Sequence, residues 1–275
     1  MASIKVQNST VDEAFKKCRL LLKKGQDREY FDGHAKRYRH CIDSVMRLTP
    51  LGAKILDVGG HYLHQSVLLR LLGYEVCAMD VPAFSGLSFV EERARDLNIR
   101  LFSESHMENG TFLASYDEHF DLILFCEILE HITFNPIDFW RRIYELMNTD
   151  AKIYITTPNS ARLINVAHNF KRILLFGGIG IQISEIFRNV TYGHHWKEYS
   201  KKEIIQYFKS LSPDFSVQVR FYSYRDYRRI SSPKDVARYV ARMTGMWMVV
   251  FDEELEIVVT LNRKTAFTAT SPTYA

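Results

Sequence analysis

Residues 53–82 read AKILDVGGHYLHQSVLLRLLGYEVCAMDVP. The run 54–58 is apolar and ends in Asp57-Val58, and Gly59-Gly60 follow at once. Leu63, Val67, Leu68, Leu71 and Leu72 then recur at helical spacing until Gly73, and a second apolar run, 75–79, ends in Asp80. The pattern predicts strand, glycine turn, helix, strand, with an acid at the second strand's tip. Few arrangements satisfy it apart from a parallel βαβ unit. Glycine lets the backbone approach a ligand, the helix start offers free N–H groups, and a strand-tip acid accepts hydrogen bonds from ribose hydroxyls.

A dinucleotide fingerprint requires G-x-G-x-x-G. This turn reads Gly59-Gly60-His61-Tyr62-Leu63-His64, without the later glycines. An acid just before the glycines suits a ligand with a positive group better than a pyrophosphate. Asp57 and Gly59 resemble motif I of the class I S-adenosylmethionine (SAM)-dependent methyltransferases, D/E-x-G-x-G, with His61 where the second glycine is usual. A side chain there must point away from the ligand. The resemblance implies cofactor contacts from Asp57, Gly59 and Gly60, with Asp57 and Gly59 on the amino-acid part. Asp80 is implied on the ribose with Val81 beside it, His106 and Met107 near the adenine, and Cys126 at the end of the fourth strand.

The chain has 275 residues, enough for one large domain with appendages, and 47% of them are hydrophobic, which permits a sizeable core. A formal charge of +4 demands neither nucleic acid nor membrane. Cys18, Cys41, Cys77 and Cys126 lack metal spacing, and Cys77 and Cys126, within apolar strands, read as reduced core thiols. No signal peptide or bilayer-length apolar run is apparent, so the cytoplasm is the default expectation. Residues 1–50 read as mainly helical, amphipathic over 11–24 and continuing over 30–48, a cap either packed on the sheet edge or closing the ligand site with Tyr38 or His34 facing in.

The run FDLILF, 120–125, predicts a fully buried fourth strand, followed by Cys126-Glu127-Ile128-Leu129-Glu130-His131. If a helix starts there, Glu127, Glu130 and His131 share one side of its first turn. Such a patch holds a divalent cation or serves as an acid/base set; equally, the glutamates simply favour a helix start. FDLILFCEILEHI, then ITTPN (155–159), then HHWKEYS (194–200) are similar to the branch of SAM methyltransferases that includes the ubiquinone-biosynthesis O-methyltransferases and the enzymes that methylate small-RNA 3′ ends. That resemblance implies a divalent metal (Mg, Mn or Zn) on Glu127, Glu130, His131 and His195, with His131 or His195 as the base if no metal is bound.

The connection 160–195 is long and contains an apolar stretch broken by Gly177, Gly178 and Gly180. It reads as a lid over the acceptor, with a packed insertion or an interfacial patch bearing Lys171, Arg172 and Arg188 as the other readings. Ser200 and Glu203 spell a capping box. Runs 215–222 and 255–261 predict two further strands. The Arg/Tyr-rich segment 224–247 reads as a solvated basic helix rather than an RNA grip, and 265–275 as a flexible tail.

The expectation is therefore a doubly wound, Rossmann-like α/β domain over 51–264 with a seven-stranded sheet, an N-terminal helical cap (1–50) and a lid insertion after strand five. The expected reaction is O-methylation of a small phenolic, sugar or natural-product hydroxyl, ahead of a lipid quinone or RNA. Two other classes compete. An NAD(P) oxidoreductase lacks a placed Tyr-x-x-x-Lys pair, and a non-catalytic partner protein is supported by His61 in the glycine position.

Overall fold

In the computed structural model, the described residues are 2–23, 25–114, 116–175, 180, 181, 183–188, 190, 193–224, 236, 240 and 252–272. Among them, seven strands form one sheet: β1 Lys54–Val58, β2 Glu75–Asp80, β3 Arg100–Ser103, β4 Phe120–Cys126, β5 Met147–Pro158, β6 Phe215–Tyr222 and β7 Glu254–Leu261. Their order is β3-β2-β1-β4-β5-β7-β6. Strands β1 and β2 pair in parallel from Lys54↔Glu75 to Val58↔Met79, and β1 pairs β4 in parallel through Leu56↔Ile123. From β1 the chain winds outward through β2 and β3, then returns to β4 on the other side. Such a reversal is the switch point at which open α/β sheets bind ligands, at the carboxyl ends of their strands. Phe120 and Leu122–Phe125 are all buried, so both faces of β4 are covered, as its unbroken apolar run requires.

The chain forms two compact units, one of residues 1–124, 138–153 and 261–263, the other of residues 125–137, 154–260 and 264–275. The first holds helices α1 Ala2–Leu21, α2 Gln26–Leu48, α3 His64–Leu71, α4 Pro82–Ser85 and α5 Ser88–Asp96. A buried polar network joins α2, α3 and α5. Asp27 of α2 accepts hydrogen bonds from Arg93 Nη2 of α5 at 2.5 Å and from His64 Nε2 of α3 at 2.7 Å. A carboxylate only accepts, so Nε2 carries the imidazole proton, and Nδ1 accepts from the Tyr38 hydroxyl at 3.3 Å. Burial lowers the His64 pKa to about 4 despite the carboxylate, so the ring is neutral at pH 7. Burial alone would raise the Asp27 carboxyl, but the bonds from Arg93 and His64 hold it below its ordinary value. Tyr38, expected from the sequence as a candidate to face a ligand, is instead buried on His64, and His34 stacks on Tyr30.

The second unit holds α7 Leu163–Leu174, α8 Ile183–Arg188 and α9 Lys201–Leu211; α6 Ile137–Leu146 falls largely in the first. The capping box at the start of α9 is present in both directions, Ser200 Oγ accepting from Glu203 N and Glu203 Oε2 from Ser200 N. Within the stretch expected as a flexible tail, residues 265, 266, 268 and 269 are hydrogen-bonded. Asp214 accepts from Thr265 N, Thr265 Oγ1 and Ala266 N at 2.7–2.9 Å, and Leu211 O from Thr268 N and Ala269 N. A small polar sequence carries no sign of this anchor, because the acceptor lies some fifty residues earlier. The Arg/Tyr-rich segment 224–247 lies outside the described residues except at 224, 236 and 240.

Arg93→Met leaves the Asp27 carboxylate buried without its guanidinium, a loss of about 3–5 kcal/mol for a broken buried pair. Urea unfolding at pH 7 measures it; a change under about 1 kcal/mol would show that the network does not hold the helices.

Candidate functional site

The turn after β1 is tightly wound. Gly59, His61 and Leu63 all have positive φ, at 76°, 49° and 61°. For His61 and Leu63 this region is unfavourable, so neighbouring bonds must hold them there. Gly59 N and Gly60 N both donate to Met79 O, at 2.8 and 3.3 Å, and His61 N donates to Asp80 Oδ2 at 2.6 Å. The His61 ring stacks on Tyr30 at 4.6 Å and lies 4.4 Å from Phe84. Histidine thus keeps the left-handed backbone that a glycine ordinarily supplies, and its ring joins an aromatic cluster. A Cβ at Gly60 would meet Leu63 Cδ2 at 3.0 Å.

Asp57 is buried, and its Oδ2 accepts from Ser66 Oγ at 2.6 Å. Asp80 is also buried, and its second oxygen accepts from Val81 N at 2.7 Å. Burial pushes both carboxyls up to about 6; at Asp57 the like charge of Asp80 adds to it, and at Asp80 the two backbone donors oppose it. Neither acid forms an ion pair among the described residues. Two acids, partly desolvated and without a cation, fit a positively charged ligand that brings hydroxyl and ammonium donors. A pyrophosphate would add like charge.

The loop after β3 is anchored by Glu104 N on Asp80 O at 3.0 Å. Met107 opens a single 3₁₀ turn, Met107–Asn109, and His106 is exposed, with its Nδ1 3.2 Å from Glu108 Oε1. Cys126 is the half-buried last residue of β4 and belongs to the second unit.

No α-helix starts directly after β4. Glu127 N donates to Thr156 O at 2.9 Å, and Glu127 has φ 58°, which breaks the strand. A single 3₁₀ turn, Leu129–His131, follows. The helical first turn expected for this stretch is absent because the left-handed residue ends the strand abruptly. The structure brings side-chain atoms of Glu130, His131 and His195 within 4.8 Å of one another; Glu127 is outside this set, though its charge reaches Glu130.

The cluster is held from several sides. Glu130 Oε2 accepts from Thr157 Oγ1 at 2.9 Å. Its Oε1 has no hydrogen-bond partner among the described residues and sits 3.9 Å from His131 Nε2. His131 Nδ1 lies 3.0 Å from His194 O, and a carbonyl only accepts, so Nδ1 carries the proton. That leaves a lone pair on His131 Nε2. Trp196 N donates to Glu130 O at 2.8 Å, which fixes the approach of 194–196. His195 packs edge-on to His131 at 4.8 Å, and its Nδ1 is 3.5 Å from Glu198 Oε1. Burial and the neighbouring Glu127 push Glu130 up to about 8. Burial, then His195, lowers His131, whereas the bond to Glu198 raises His195. A buried carboxylate oxygen with no donor beside a fixed imidazole lone pair fits a divalent cation, with Glu130, His131 and His195 as its holders. Without a cation the same atoms form an acid/base set.

Strand order, glycine turn and uncompensated acids define a Rossmann-like nucleoside-binding enzyme. A family model described as a methyltransferase domain matches residues 33–212, and the chain belongs to that family. It is an enzyme of the class I SAM-dependent methyltransferases, with SAM as cofactor. Among solved structures it is similar to a SAM dependent methyltransferase from Archaeoglobus fulgidus, at 13% identity over 85% of this chain and 100% of that one, with a TM-score of 0.52. It is also similar to an S-adenosylmethionine-dependent methyltransferase from Clostridium acetobutylicum ATCC 824, at 14% identity, 84% and 92% coverage and a TM-score of 0.51. At these identities the likeness is one of fold. A comparison with curated proteins gives no match.

Sequence reading did not single out Thr157 or the His194 carbonyl, which orient the two central side chains. Thr157 sits in the ITTPN run at the end of β5, and that position is its one sequence signal. Thr157→Val removes the side-chain hydroxyl that donates to Glu130 Oε2. Stability falls by about 1–3 kcal/mol above pH 8, where the carboxyl is ionised, and by less at pH 6, where it is protonated. Denaturant unfolding at both pH values checks this; an equal loss at each would contradict the ionisation ascribed to Glu130.

Proposed function

We propose that this enzyme transfers the SAM methyl group to a hydroxyl oxygen of a small-molecule acceptor, with His131 as the general base. The observation that carries the reading is His131 itself: Nδ1–H is committed to His194 O, so Nε2 is an unprotonated acceptor at neutral pH. A hydroxyl must lose its proton as its oxygen attacks carbon, and a positioned imidazole speeds such steps by about 10²–10⁴. An amine acceptor that is already neutral has less need of a base.

SAM supplies a sulfonium methyl that is reactive without further activation, so alignment and exclusion of water are the protein's tasks. Asp57 and Gly59 take the ammonium end, Asp80 accepts from the ribose hydroxyls, and Gly60 and Val81 offer close backbone on either side. His106 and Met107 are assigned to the adenine. Glu130, His131 and His195 would hold a divalent cation, whose chemistry there would be Lewis-acid polarisation of the acceptor hydroxyl. His195, whose pKa the bond to Glu198 raises, otherwise stands edge-on to His131 as a second imidazole for the developing oxyanion.

Asp80→Asn keeps the side chain's size and removes its charge, and titration calorimetry should find SAM bound at least roughly tenfold more weakly. Affinity should also rise as pH goes from about 5 to 7, because a cationic ligand binds the ionised forms of Asp57 and Asp80 and so lowers their pKa from about 6, releasing protons. A flat profile and unchanged Asp80→Asn affinity would sink this register. For the reaction, a panel of phenols, sugars, quinols, RNA 3′ ends and amines should show transfer to a small hydroxyl compound. His131→Ala should then lower kcat by about 10²-fold or more with SAM binding intact. Transfer to amines alone, indifferent to His131, would overturn the proposal.

A further inference from the structure

Helix α7 is turned the wrong way for a helix of a water-soluble surface. Its polar stripe, Asn165, Asn169 and Arg172, is half-buried: Asn165 Nδ2 donates to Glu198 Oε2 at 2.8 Å, and Arg172 Nη1 to Gly180 O at 2.9 Å. Its apolar stripe points to solvent. Val166, Phe170, Ile173 and Leu174 follow one another at spacings of three and four residues or adjoin, so they share one face. They are 50–62% exposed. In α8, Ile186 and Phe187 are likewise exposed, Phe187 at 84%. A contiguous apolar face of this kind marks a surface that is covered in use.

The charge around it says by what. Residues 161–190 contain Arg162, Lys171, Arg172 and Arg188 against one acid, Glu185. Arg162 is consumed in an ion pair with Glu253 at 2.7 Å, but Lys171, on α7, and Arg188, at the end of α8, are exposed. Lysine is depleted at the centre of protein–protein interfaces, whereas phenylalanine and leucine flanked by lysine and arginine are the composition of helices that lie in a bilayer interface. Twelve residues of helix span about 18 Å, short of the roughly 30 Å hydrocarbon core, so α7 can lie on a membrane and not cross it. Among the described residues no helix is long and apolar enough to cross.

We infer that the exposed face of α7, with the exposed residues of α8, docks this enzyme on the surface of an anionic lipid bilayer, Phe170 and Leu174 entering the acyl boundary while Lys171 and Arg188 meet the headgroups. Docking of this kind does not depend on which acceptor is methylated.

The full chain is floated with vesicles of phosphatidylcholine alone and of phosphatidylcholine mixed with phosphatidylglycerol. Wild type should float with the anionic vesicles, and lowering of its bound fraction by salt should mark the electrostatic share. Phe170→Glu with Leu174→Glu, and separately Lys171→Glu with Arg188→Glu, should each weaken partitioning by roughly tenfold or more. Both double variants should bind SAM as wild type does, which shows that they are folded. Wild type left unbound by anionic vesicles overturns the inference, as does binding that neither variant weakens. If vesicles do not bind and sedimentation shows a dimer that Phe170→Glu with Leu174→Glu dissolves, a second copy of the chain is the occupant and the membrane reading is wrong.

Discussion

Two carboxylates held out of water with no cation beside them are the constraint on which the first unit turns. Asp57 and Asp80 stand at the ends of adjacent parallel strands; the turn after β1 is folded onto Asp80 through His61 N, and Val81 N donates to the other carboxylate oxygen. Backbone dipoles and the Ser66 hydroxyl lessen the cost of desolvating them but leave both pKa values raised. A ligand carrying positive charge relieves the electrostatic cost of the uncompensated pair, which is why a sulfonium nucleoside suits this turn. The left-handed His61 is tolerated because aromatic packing and the bond to Asp80 hold it, and Leu63 because its N–H is bonded to Gly60 O and its side chain is buried.

The second unit solves a different problem, that of orienting an imidazole. A carbonyl, not a carboxylate, meets His131 Nδ1, so the tautomer is set without making the ring strongly basic. Glu130, buried and raised to about 8, contributes one satisfied and one unsatisfied oxygen. An unsatisfied oxygen of that kind is costly, and such costs concentrate where function needs them. The proton on Glu130 and a divalent cation are alternative ways of neutralising the same site.

Much of the fold is legible in the chain because its signals are local. The strand limits at 54–58 and 75–80, the glycine turn and the Ser200–Glu203 cap depend on residues within a few positions of each other. Features that depend on distant residues are not legible. Nothing near Asp27 announces Arg93, 66 positions away, and Arg93 reads as one more charge on a polar helix. The contact of Glu130 with Thr157 spans 27 positions. Left-handed φ at Glu127 cannot be read from a sequence that otherwise favours a helix, so the shared helical face expected of Glu127, Glu130 and His131 gives way to a 3₁₀ turn with Glu127 apart. Amphipathicity of α7 is plain in its spacing, but periodicity is symmetric between the two sides, and which one meets water is decided by Glu198 and Gly180.

The most direct measurement is a crystal structure of the chain with S-adenosylhomocysteine, the product of methyl transfer. The nucleoside should lie over the turn 59–63, its ribose hydroxyls within hydrogen-bond distance of Asp80 and its amino group toward Asp57. Product bound elsewhere on the chain, or a ribose that does not touch Asp80, would contradict a cofactor-binding role for the two uncompensated acids.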